Sequence, residues 1–81
     1  MSDSYIYEII DKLRKSLPPV FSRKVAEAKL GGIISRRTLA NLDSKRKGPR
    51  RKYLSNTVVY DRESFLGWLA DRLSDSPGRS L

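Results

Sequence analysis

Paired prolines and glycines break this chain at Pro18-Pro19, Gly31-Gly32, Gly48-Pro49 and Pro77-Gly78. Proline removes a backbone donor and glycine readily turns left-handed, so each pair ends a regular element. Eighty-one residues divided in this way make one domain, expected over residues 1–75, with one small core. Residues 76–81, after the last acidic and serine-rich stretch, are expected to form a disordered tail. The chain contains neither cysteine nor histidine. Disulfides and thiolate or imidazole metal sites therefore cannot reinforce the core, and the commonest general base is absent. The acidic residues are scattered and no glycine-rich phosphate loop is present, so the expectation is no enzyme, cofactor, metal or small-molecule ligand. No apolar run is long enough to span a bilayer. Met1-Ser2-Asp3-Ser4 lacks the basic-then-apolar order of a secretory signal. The expected setting is cytoplasmic, with no membrane partner.

Between the breaks, local periodicity assigns the elements. Tyr5, Ile6, Ile9, Ile10, Leu13 and Leu17 recur at helical spacing, which predicts an amphipathic helix over about 5–16 with Asp3 or Ser4 as its cap. That stripe packs on its own domain or on a partner. Ser22 caps a second helix that ends at Gly31-Gly32, with Val25, Ala26, Leu30 and the stem of Lys29 facing inward. Ser35 caps a third helix running to about Lys45, with Ile34 and Leu39 placed to form a hydrophobic staple, and Gly48-Pro49 stops it. These two helices form a helix-turn-helix over about 22–46. The period then changes: Lys52-Tyr53-Leu54 and Val58-Val59-Tyr60 predict a hairpin over about 52–60, joined by Ser55-Asn56-Thr57. Asp61 caps a last helix over about 62–73, where Phe65 and Trp68 are expected to pack inside against the hairpin. Tyr53 is the aromatic whose side is least determined; stacking on bases is the alternative role for all of these rings. The fold class is mainly α with a small β-hairpin.

Charge is concentrated in the middle of the chain. From Ser22 to Lys52 there are eleven Lys and Arg, opposed only by Glu27 and Asp43. The remainder has six basic and seven acidic residues. Such a segment is the footprint of a polyanion binder; the plainer reading is a solubilising surface. Two helix starts carry cations in their first turn, Arg23-Lys24 after Ser22 and Arg36-Arg37 after Ser35. Cations there oppose the helix dipole, and free N–H groups at a helix start suit phosphate oxygens. At about 100° per residue, Leu39 and Leu42 define the inner side of the third helix. Arg37, Ala40, Asn41 and Ser44 lie opposite, flanked by Arg36 and Lys45. Arginine can form a fork to guanine and asparagine can pair bidentately with adenine. The linker Lys45-Arg46-Lys47-Gly48-Pro49-Arg50-Arg51-Lys52 suits a phosphate backbone, contributing affinity without reading sequence. The candidate DNA contacts are therefore Arg23, Lys24, Ser35, Arg36, Arg37, Thr38, Asn41, Ser44, Lys45, Arg46, Lys47, Arg50, Arg51, Lys52 and, at the hairpin tip, Asn56.

From Ser22 to Leu69 the chain resembles the excisionase and MerR-type winged-helix family, including small AlpA-like phage regulators. The residues that carry the likeness are Ser22-Arg23-Lys24-Val25-Ala26-Glu27, Ile34-Ser35-Arg36-Arg37-Thr38-Leu39, Gly48-Pro49, Val58-Val59-Tyr60 and Arg62-Glu63-Ser64-Phe65-Leu66-Gly67-Trp68-Leu69. The turn Leu30-Gly31-Gly32-Ile33-Ile34 is longer than that family's usual one, and the N-terminal helix is an addition. The resemblance implies a winged helix-turn-helix with an extra N-terminal amphipathic helix. It implies binding of double-stranded DNA, in the nucleoid of a bacterial or phage-infected host. Members either assist a tyrosine recombinase (an integrase) as excisionases or regulate transcription, and a second copy on DNA is a further possible partner. RNA binding, or an antitoxin or adaptor role through protein contacts, are the alternatives that the charge and the apolar stripe leave open.

Overall fold

The computed structural model describes the backbone of residues 2–73 and the side chains from residue 5 onward. It contains four helices and a three-stranded antiparallel sheet, in the order α1 (Ser2–Ser16), β1 (Val20–Ser22), α2 (Arg23–Lys29), α3 (Arg36–Ser44), β2 (Lys52–Leu54), β3 (Thr57–Asp61) and α4 (Arg62–Arg72). The expected tail at 76–81 lies outside the described residues. Helix α1 begins at Ser2, so Asp3 and Ser4 are within it and do not cap it.

The small hairpin expected from the sequence is part of a larger sheet. β1 joins it on the far side, in the order β1-β3-β2, pairing Val20 with Asp61, Phe21 with Tyr60 and Ser22 with Val59. Pro18-Pro19 cannot continue α1, and the chain bends at Leu17 and Pro19 before entering β1. A lone hairpin is only marginally stable, so a third strand and covering helices are what it needs. The Pro19 carbonyl accepts from the Arg62 backbone N–H at 2.8 Å, tying this corner to the start of α4. The β2–β3 turn is also tighter than expected. Leu54 pairs directly with Thr57, leaving Ser55-Asn56 as the connection, and Ser55 takes a φ of +56° to close it.

The core fills the space between the inner sheet face and the helices. Phe21, Tyr60 and Phe65 are buried and meet with ring centroids 5.2–6.1 Å apart. Ala26, Leu30, Ile34, Leu39, Leu66 and Leu69 complete it. Ile34 and Leu39, the expected staple pair, are both buried. From α1, Ile10 is buried and Ile6 and Leu13 partly so, against α4, and Leu17 just past its end is buried too. Tyr5, counted in the apolar stripe, is exposed instead. Arg14 bridges the two helices through Glu63 at 3.1 Å and also meets Asp11. No helix among the described residues is long and apolar enough to cross a membrane.

Candidate nucleic-acid interface

Helices α2 and α3 end in the same hydrogen-bond pattern. After α2, the N–H groups of Gly31 and Gly32 return to the carbonyls of Ala28 and Glu27, with both glycines at positive φ. After α3, the N–H groups of Arg46 and Lys47 return to Asp43 and Leu42 at 3.0 and 2.8 Å. The left-handed position that glycine fills after α2 is held here by Arg46, at φ +60°. A side chain there costs energy that glycine avoids. Gly48-Pro49 therefore lies beyond the stop, and Gly48 serves another purpose. A Cβ on it would stand 2.2 Å from Asp43 Oδ1.

Asp43 organises the region. Only 2 % exposed, its Oδ2 accepts from Arg23 Nη2 and from the Tyr60 hydroxyl, both at 2.7 Å, while Arg23 Nε donates to Tyr60 Oη at 3.1 Å. Arg51 Nη1 approaches Oδ1 at 3.8 Å. Burial works against the Arg23 charge, but hydrogen bonds with Asp43 and Tyr60 outweigh it and raise the guanidinium pKa. Burial first, and donation to Asp43 second, push the Tyr60 phenol from 10 up to about 12. This cluster links the start of α2, the end of α3 and the centre of the sheet.

The expected contact residues divide accordingly. Arg37, Asn41, Ser44 and Lys45 are exposed on the outer side of α3, with Ala40 half-buried between them, while Leu39 and Leu42 are buried. Ser44 Oγ donates to the Asn41 backbone carbonyl at 2.9 Å, and the Asn41 side-chain amide, exposed on the same side, has no partner among the described residues. Arg46, Lys47, Arg50, Lys52, Lys24 and Asn56 are exposed and form no ion pair among those residues. Ser35 and Thr38 face each other: the Ser35 hydroxyl accepts from the Thr38 N–H and donates to Thr38 Oγ1, both at 3.0 Å. Arg36 pairs with Glu27 at 2.9 Å. Arg23 points inward onto Asp43, and half-buried Arg51 is drawn to the Tyr53 hydroxyl at 3.2 Å. Each helix start that was read as a pair of free cations thus has one arginine engaged within the chain.

Sequence reasoning missed Asp43, Tyr60, Trp68 and Arg72 as organisers. Asp43 falls four residues after Leu39, on the inner side of α3, and that placement was the available signal. Trp68 is half-buried rather than inside, because its ring has a second task. Its Nε1 donates to the Lys47 carbonyl at 2.9 Å, and Arg72 Nη2 donates to the same oxygen at 2.6 Å while lying 4.9 Å over the indole. Two donors from α4 thereby fix the loop that carries Lys45, Arg46 and Lys47. Among the described residues no group of His, Cys, Asp and Glu could hold a metal ion. No family model, curated protein or solved structure matches the chain.

Proposed function

We propose that this chain is a winged helix-turn-helix protein that binds double-stranded DNA, with α3 as the recognition helix in the major groove and the β2–β3 hairpin as the wing. The supporting observation is the sorting of charge around α3. The buried acid, Asp43, binds Arg23 on the inner side, while Arg37, Asn41 and Lys45 stay exposed on the outer side. Arg37 and Asn41 lie one turn apart and can reach adjacent base edges together, while Arg46, Lys47, Arg50 and Lys52 supply phosphate contacts. The resemblance to excisionases and small phage regulators gives the role: a recombination directionality factor assisting a tyrosine recombinase, or a small prophage transcription regulator. The test is selection of a site from a random-sequence duplex pool, followed by competition against a scrambled duplex. Arg37→Ala and Asn41→Ala should each lose about 1–3 kcal/mol on the selected site and little on the scrambled one. Equal losses on both would reduce α3 to an electrostatic handle and end the sequence-specific reading.

A further inference from the structure

We propose, building on the DNA-binding reading above, that the wing carries an apolar wedge: Leu54 enters the minor groove and partly unstacks one base step. The hairpin register gives the geometry. Lys52 pairs with Val59 and Leu54 with Thr57, whereas Tyr53 pairs with Val58. Alternate residues share a face, so Lys52 and Leu54 lie together on the outer face, opposite the core. Leu54 is 72 % exposed, a leucine beside the turn that the domain leaves uncovered.

The cation beside Leu54 is Lys52, two residues back on the same face of the strand. Arg50 and Lys52 line an open concavity of about 730 Å³ with Val20, Val59 and Asp61, and neither forms an ion pair among the described residues. The Asp61 carboxylate caps α4 by accepting from the Ser64 N–H at 3.0 Å, and Arg51 is held by Tyr53. The free positive charge on this face therefore comes from Arg50 and Lys52, with Leu54 about 6.8 Å beyond Lys52 toward the tip. The minor groove is about 6 Å wide, room enough for a side chain projecting from a hairpin tip. Leucine is among the residues that wedge between base steps from that groove, and neighbouring cations suit the phosphates that border it.

The experiment uses the full chain and a duplex selected by it from a random pool, with 2-aminopurine walked through the site. Fluorescence should rise at one step with the wild-type chain and with Leu54→Phe, and should stay dark with Leu54→Ala and Leu54→Ser. The alanine variant should bind about threefold to tenfold more weakly with an unchanged salt slope, since no charge is lost. Leu54 is exposed, so circular dichroism should show all these variants folded. Unchanged fluorescence and affinity for Leu54→Ala, or a tight wild-type complex in which no step brightens, would overturn the wedge while the DNA reading stands. Failure of the wild-type chain to select any duplex would overturn both.

Discussion

Arg46 occupies the left-handed position after α3 that Gly31 occupies after α2. Arg46→Gly should therefore raise stability by about 0.5–1 kcal/mol in chemical denaturation. If Arg46 meets a phosphate, the same change should weaken every duplex alike and flatten the salt slope by about 0.9. Opposite effects of one substitution on stability and binding would show that the strain serves the site. The Asp43 cluster makes two further predictions. Gly48→Ala would force a methyl into a carboxylate that is itself buried, so it should destabilise the fold by about 1–3 kcal/mol. Tyr60 gives a pH signature. Its folded pKa of about 12 exceeds the ordinary 10, so the folded chain holds the phenol proton more tightly than the unfolded one. That contribution is complete below pH 10 and is lost as pH rises toward 12, on the order of 2 kcal/mol. The stability difference between wild type and Tyr60→Phe, followed by denaturation across that window, should be constant below pH 10 and shrink above it.

At the level of elements, the α4 aromatics separate packing from positioning. Phe65→Ala removes a buried ring and should cost about 3–5 kcal/mol. Trp68→Phe keeps most of the half-buried packing and removes the donor to the Lys47 carbonyl. It should cost about 1 kcal/mol and loosen the 45–48 loop, read as faster amide hydrogen exchange there. The helices and the hairpin were legible because their signals are local: a serine cap, an inward stripe, a glycine pair, a β-branched run. β1 was not, because Val20-Phe21-Ser22 is too short to show alternation and its partner lies some forty residues away. The candidate site was legible as a charge pattern on α3. What stayed hidden was which cations the fold uses for itself. Arg23 and Arg51 cannot be told from Lys24 and Arg50 until Asp43 and Tyr53 are placed beside them.

For the whole molecule, the division between engaged and free cations defines the account. One small core holds α3 and the hairpin through the Asp43 cluster, and the cations left over lie on the outer side of α3, the following loop and the outer hairpin face. The same division gives a contrast between neighbours. Arg50→Ala should weaken all duplexes and flatten the salt slope by about 0.9, whereas Arg51→Ala should act first on stability. The central claim, that this surface reads duplex DNA, is tested most directly by titrating the wild-type chain with its selected DNA duplex and with the RNA duplex of the same sequence over a range of salt. A recognition helix cannot enter the narrow major groove of A-form RNA. The account predicts that log affinity for DNA falls linearly with log salt, by about 0.9 per phosphate contact, and that the RNA duplex binds far more weakly at every salt concentration. Equal affinity for the two duplexes, or a DNA affinity indifferent to salt, would contradict it.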